Sequence, residues 1–272
     1  MLCVWLGFIV NRVNKQKRAV KWVRENGGPV YYDFQVDVKK SAIAADARPP
    51  GPDWLRERID IDYFADVVSV RLDSLDIYDV VTLADLKGIQ ELYLQDTQIS
   101  DLSPLTDMEG MLTLNLHNTH VSDLSPVAGM RDLRKLNLEN TRVSDLSRLA
   151  GMKGMLWLNL VNTHVSDLSP LAGMKGMQEL YLHNTHVSGL SPLAGMKGME
   201  RLDLENTQVS DPSSLAGMKR LQLLNLDGTQ VTDLTPLVGL KKAWILLGES
   251  QQVTIPLELE TQVRRHVSVT VD

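Results

Sequence analysis

Thr97, Thr119, Thr141, Thr163, Thr185, Thr207 and Thr229 stand 22 residues apart without a slip. A period held that long means an array of one small unit, in which each unit covers its apolar face with its neighbours. The surrounding residues keep the same frame. Met108, Met130, Met152, Met174, Met196, Met218 and Leu240 open successive units that read approximately M-K-G-M-x-x-L-x-L-x-N-T-x-V-S-D-L-S-P-L-A-G. The frame runs back through Val70, Leu72, Ile77 and Leu83, with Leu75 in place of the threonine, so that eight full units begin at residues 64, 86, 108, 130, 152, 174, 196 and 218. A ninth begins at Leu240 and degenerates after Val253. Side chains alternate along a strand, so Leu158 and Leu160 are expected inside while Trp157, Asn159 and Val161 face out. Ser169-Pro170 predicts a helical turn, with Ser169 as N-cap, Pro170 at the first helical position and Gly173 closing it. Ordering 22 residues costs more than one unit's apolar contacts return, so stacking and covered ends are required.

The segment Met155-Leu156-Trp157-Leu158-Asn159-Leu160-Val161-Asn162-Thr163-His164-Val165 resembles the strand signature L-x-x-L-x-L-x-x-N/C-x-L of the leucine-rich-repeat family. The unit length and the S-D-L-S-P-L stretch look most like the short repeats of bacterial internalins, over roughly residues 64 to 255. The resemblance implies an α/β leucine-rich-repeat solenoid, with a parallel sheet of about nine strands on the concave face and short helical turns on the convex face. It also implies a protein-binding concave sheet. Thr occupies the position where the family usually carries an Asn ladder; its hydroxyl is expected to satisfy backbone groups between coils.

The chain divides on this reading into an apolar stub (1–11), an N-terminal helix-strand cap (12–63), the repeats (64–253) and a C-terminal cap (254–272). Met1 to Val10 is apolar throughout and is followed by the basic run Arg12, Lys15, Lys17 and Arg18, yet a spanning helix needs about 20 apolar residues. Two readings stand: the stub is the tail of a membrane anchor whose start lies upstream, or an apolar helix turn packed on the cap. Membrane attachment follows from the first and a soluble chain from the second. Val13, Val20 and Val23, with Ala19 and Trp22 nearby, predict an amphipathic helix over 12–26, ended by Gly27-Gly28-Pro29. Val30, Tyr32, Phe34, Val36 and Val38 alternate with polar or aromatic residues as in a half-buried strand. Residues 39–52 read as a loop, followed by a short helix from Asp53 through Trp54 and Leu55.

Charge narrows the partners. Residues 1–63 carry 11 Lys/Arg against 8 Asp/Glu, the rest 17 against 26, giving +3 and -9. A surface of that sign repels phosphate backbones, so nucleic acid is not an expected partner. Cys3 is the only cysteine; it allows no intrachain disulfide and no thiolate zinc site.

Chemistry that repeats every 22 residues belongs to the framework. Ser122-Asp123 and Ser166-Asp167 read as turn residues bonding local backbone N–H groups, and methionine enrichment reads as core filling. No glycine run has phosphate-loop spacing, and no feature points to an enzyme or a cofactor. His117, His120, His164, His183 and His186 lie in the repeats; a zinc site at His164, His183 and His186 competes with the reading of freely varied exposed columns, and no metal is expected. The outward columns are diverse while the framework barely varies, which favours a monomeric protein-binding scaffold over an envelope-anchored spacer. Tyr93, Asn137, Trp157, Asn159, Glu179, Tyr181 and His183 are the expected partner-binding residues, with Trp157 and Tyr181 at the centre of an aromatic patch with a polar rim.

Overall fold

The computed structural model describes residues 2–37, 42–44, 47–50, 52, 54, 58, 61–63 and 65–266. Helix α1 (Leu2–Glu25) is followed by β1 (Val30–Tyr32), β2 (Val36–Asp37), β3 (Ala42–Ile43), β4 (Val67–Arg71), β5 (Glu91–Tyr93), β6 (Thr113–Asn115) and β7 (Lys135–Asn137). The chain continues with β8 (Trp157–Asn159), β9 (Glu179–Tyr181), β10 (Arg201–Asp203), β11 (Leu223–Asn225), β12 (Trp244–Gly248) and β13 (Val263–His266). Eleven strands form one sheet in the order β1, β4 through β13. Strands β4 to β12 are the nine parallel repeat strands, in unbroken register: Leu92, Leu114, Leu136, Leu158, Leu180, Leu202 and Leu224 lie side by side. β1 runs antiparallel to β4 at one end and β13 runs parallel to β12 at the other, so both ends of the repeat sheet are paired, as exposed edges invite unwanted pairing.

Each coil buries the same column of side chains. In one of them Met152, Met155, Leu158, Leu160, Val165, Leu168 and Leu171 are all at most 2% exposed. Every methionine except Met1 is in the core, where an unbranched thioether fills the space between branched neighbours.

The convex turns are one-turn 3-10 helices such as Ser169–Leu171, and their capping differs from the sequence expectation. Leu168, not Ser169, holds the N-cap position without a side-chain bond, and Ala172 rather than Gly173 closes the turn. The cap is supplied from further back: Asp167 Oδ1 accepts the Ser169 backbone N–H at 2.8 Å and the Ser169 hydroxyl at 2.6 Å. Asp101, Asp123, Asp145, Asp211 and Asp233 accept the equivalent N–H groups at 2.7 to 2.9 Å. A carboxylate is the stronger acceptor for such a donor, which leaves the serine free to begin the turn itself.

The threonine column also bonds differently from expectation. Thr163 Oγ1 donates to the Leu160 carbonyl of its own coil at 2.6 Å, and Thr97, Thr119, Thr141, Thr185, Thr207 and Thr229 do the same three residues back. At Thr229 the hydroxyl also accepts a hydrogen bond from Gln251 Nε2 of the next coil at 3.2 Å. The preceding residue makes the ladder between coils instead: Asn118 Nδ2 donates to Asp96 Oδ1 at 2.9 Å, Asn162 to Asn140 at 2.7 Å and Asn184 to Asn162 at 2.8 Å. That column, Asp96 through Asn206, is left-handed with φ of 51° to 58°, a conformation that Asn and Asp tolerate because their side chains bond locally.

At the N-terminal end the stub and the amphipathic stretch form one helix. Val13, Ala19, Val20 and Val23 of α1 are buried as the pattern predicts. No helix among the described residues is long and apolar enough to cross a membrane. Gly27 (φ 87°) and Gly28 end α1, with Gly28 N–H donating to the Val23 carbonyl and Gly27 N–H to that of Arg24, the Schellman arrangement. A Cβ at Gly28 would lie 2.5 Å from the Arg71 carbonyl oxygen, so glycine lets the chain pass close to β4. The single strand expected over 30–38 is broken: β1 gives way to a 3-10 turn, Asp33–Gln35, before β2. Gln35 Oε1 accepts the Tyr32 N–H and Asp33 Oδ1 accepts the Phe34 N–H, local bonds that compete with a ladder. Within the expected loop of 39–52, β3 pairs antiparallel with β2, because Val36 finds an apolar partner in Ile43. The short helix expected from Asp53 through Leu55 lies, apart from Trp54, outside the described residues, as do 267–272 of the expected C-terminal cap.

Candidate functional site

A three-residue strand such as β8 sends its middle leucine inward and presents its first and third residues on the concave face. The parallel register stacks these into two columns. One runs Glu91, Thr113, Lys135, Trp157, Glu179, Arg201 and Leu223; the other runs Tyr93, Asn115, Asn137, Asn159, Tyr181, Asp203 and Asn225.

The second column is less free than alternation alone implies. Asn115, Asn137, Asn159, Asp203 and Asn225 each use Oδ1 to accept the backbone N–H two residues ahead, at 3.0 to 3.1 Å. These side chains terminate the strand. Tyr93 and Tyr181 cannot make that bond, nor can Arg71 and Leu246, which continue the column on β4 and β12, and forgoing one costs about 1 kcal/mol. An aromatic at these two positions therefore departs from the framework at a cost.

The seven residues singled out by sequence fall into overlapping groups. Trp157 and Tyr181 meet with ring centroids 5.8 Å apart and planes tilted by 52°, a favourable aromatic geometry. Tyr181 Oη donates to Glu179 Oε2 at 2.5 Å; burial, and then the Glu179 carboxylate, pushes the phenol pKa above its ordinary value. Tyr93, Asn137 and Trp157 share a shallow concavity of about 270 Å³ with Thr113, Asn115 and Lys135. The Arg71 guanidinium lies 4.2 Å over the Tyr93 ring. Asn159 is 8% exposed and donates to Glu139 Oε2 at 2.8 Å, so it supports the face more than it presents to it. His183 reaches toward the next coil, its Nδ1 3.4 Å from Glu205 Oε2.

His164, His183 and His186 do not form one grouping. The His164 and His186 rings stack at 6.1 Å, beyond the left-handed turn at Asn162 and Asn184, and His183 stands before that turn. Among the described residues the metal-ligating types that converge are His183, Asp203 and Glu205. Sequence reasoning missed this group because it compared the histidines only with one another; the signal was the offset of 20 and 22 residues from His183 to Asp203 and Glu205, one coil on. Asp203 is itself shifted upward in pKa, chiefly by burial, against the pull of the Glu205 N–H bond and His183.

No protein-family model matches the sequence, and no curated protein matches it. Solved structures do. Internalin C2 of Listeria monocytogenes is 27% identical with a TM-score of 0.65, the match covering 68% of this chain and 86% of that one. A second internalin of the same species (inlF) is 22% identical with a TM-score of 0.62, covering 79% and 72%. A leucine-rich-repeat protein of Leptospira interrogans is 16% identical with a TM-score of 0.57, covering 70% and 57%, and shares the fold. The repeat period, the paired parallel register and these structural likenesses agree: the chain is an internalin-like leucine-rich-repeat protein.

Proposed function

We propose that the protein is a non-enzymatic, monomeric scaffold that binds a protein partner on its concave face, with Trp157 and Tyr181 at the centre of the contact. The observation that carries this reading is the pair of tyrosines, Tyr93 and Tyr181, in a column whose other members from β5 to β11 are Asn or Asp making a strand-ending bond. A framework that gives up that bond twice, next to a half-buried tryptophan, places aromatic surface where interfaces concentrate their binding energy. Tyr93, Asn137, Glu179 and His183 supply the polar surround, and Asn159 braces it. The competing reading, an envelope-anchored spacer, rests on the apolar start of α1 and gives these aromatics no role.

The test compares the full chain with Trp157→Ala/Tyr181→Ala for proteins captured from a native extract, then titrates each captured protein with both chains. The expected result is a partner whose affinity falls by about 30-fold or more, the scale of two hot-spot residues, while the melting temperature stays within a few degrees. A partner set and affinities unchanged in the variant overturn the aromatic docking site.

A further inference from the structure

His183 follows β9, and Asp203 and Glu205 lie on the next coil, at the end of β10 and just after it. One ligand atom from each lies within 4.8 Å of the others, and all three side chains are half-buried. The closest pair, His183 Nδ1 and Glu205 Oε2, is 3.4 Å apart. Donors at the 2.0 to 2.2 Å typical of zinc sit about 3.4 Å from one another around a tetrahedral ion. The pair already has that spacing, and a ligand atom of Asp203 lies within 4.8 Å of both. Two outer bonds hold the carboxylates in place: Asp203 Oδ1 accepts the Glu205 N–H at 3.0 Å, and Asn225 Nδ2 donates to Glu205 Oε2 at 2.9 Å. Supporting bonds of this kind orient metal ligands.

We infer that His183, Asp203 and Glu205 form a binding site for one divalent first-row transition ion of the zinc class, with an open coordination position on the concave face. An imidazole nitrogen beside two carboxylates selects such an ion over calcium or magnesium, which prefer all-oxygen shells. The two carboxylates supply the charge that neutralises it.

The protein carries its own control three coils away. His117 Nδ1 lies 3.5 Å from Glu139 Oε2, and Asn159 Nδ2 donates to that same oxygen at 2.8 Å, as Asn225 does to Glu205. Asn137 replaces the aspartate and makes the same bond to the backbone N–H of the glutamate, at 3.1 Å. The two places share backbone, histidine, glutamate and supporting asparagine; they differ by one carboxylate. An amide brings neither the charge nor the donor strength, so the His117 position should not hold the ion.

Titration of Zn²⁺ into the full chain, followed by calorimetry and by the visible spectrum with Co²⁺, reads this directly and needs no protein partner. The expected result is one equivalent bound, weakened more than about tenfold by Asp203→Asn, which keeps the bond to the Glu205 N–H, and unchanged by His164→Ala/His186→Ala. Loss of a ligand should exceed the effect of losing an outer partner. Asn137→Asp should add a second equivalent. The assignment is overturned by any of four results: no saturable uptake, uptake unaffected by Asp203→Asn, uptake lost with the His164 and His186 substitutions, or an Asn137→Asp chain that still takes up one ion.

Discussion

The repeat stack and the N-terminal cap are held together by different kinds of interaction. In the stack each contact is made once per coil: the leucine column, the threonine-to-carbonyl bond and the aspartate-to-turn bond recur from unit to unit. In the cap each contact is made once. Gln16, 8% exposed on the buried side of α1, donates to Asp62 Oδ1 and to the Ala65 carbonyl, both at 2.9 Å, and the Tyr32 hydroxyl donates to the same carboxylate at 3.1 Å. Arg12 pairs with Asp66, and Lys15 and Arg18 with Asp85. Repetition spreads stability along the solenoid, whereas the cap adds to the buried Val13, Ala19, Val20 and Val23 a few polar pairs between residues distant in sequence.

The sharpest test of this contrast is a cavity in the stack. Leu158 is fully buried with Leu136 and Leu180 on either side, and Leu158→Ala should cost about 2 to 5 kcal/mol. Because each coil contacts only its neighbours, the loss should spread to both flanking units. Denaturant unfolding followed by hydrogen exchange reads both effects; a midpoint equal to that of the parent chain would mean that this side chain is not part of the interlocked core.

In the cap, Gln16→Ala should cost about 1 to 3 kcal/mol, because it leaves Asp62 and the Ala65 carbonyl short of a buried donor. The expected signature is local: faster exchange of amides in α1 and β1 with protection in β7 to β11 unchanged. Loss of protection across the whole sheet would show that the cap and the stack unfold as one unit and erase the distinction.

The same contrast explains what could be read from the sequence. The leucine column, the nine parallel strands and the methionine core were legible because a contact made every 22 residues leaves a periodic trace. Bonding within a coil was less legible. A threonine column shows that a hydroxyl is needed but not which carbonyl takes it; the bonding of Asp167 to a local backbone N–H is as expected, and only its taking the capping role from Ser169 was hidden, because a Ser-Pro start already satisfied the usual helix rule. In the cap, alternation over Val30 to Val38 could not reveal that Gln35 and Asp33 would bond the backbone and break the strand. The aromatic pair of the candidate site followed from register alone, whereas His183, Asp203 and Glu205 required seeing which way each side chain leans across to the next coil.

Acid should separate the two regions by the smallest margin. Hydrogen bonds from Ser103 hold the Asp101 carboxyl below its ordinary pKa of 3.8, those from Ser169 and Ser213 do so for Asp167 and Asp211, and those from Thr235 for Asp233. The Ser125 and Ser147 backbone N–H groups lead the same effect at Asp123 and Asp145. A carboxyl whose folded pKa is depressed contributes stability above its unfolded value and loses it as pH falls through the folded one. The contribution of these turns is therefore intact at neutral pH and declines below pH 3.8. All six groups are solvent-exposed, so screening keeps each contribution small. Asp203 works in the opposite sense, since burial raises its pKa and protonation relieves that cost. Melting temperature measured from pH 6 to pH 2.5 should be flat and then fall, and a chain with Asp101, Asp145 and Asp211 changed to Asn should show a shallower acid fall, because an amide keeps the acceptor but not the charge. An equally steep fall in that chain would move the acid sensitivity out of the turns and into the ion pairs of the cap.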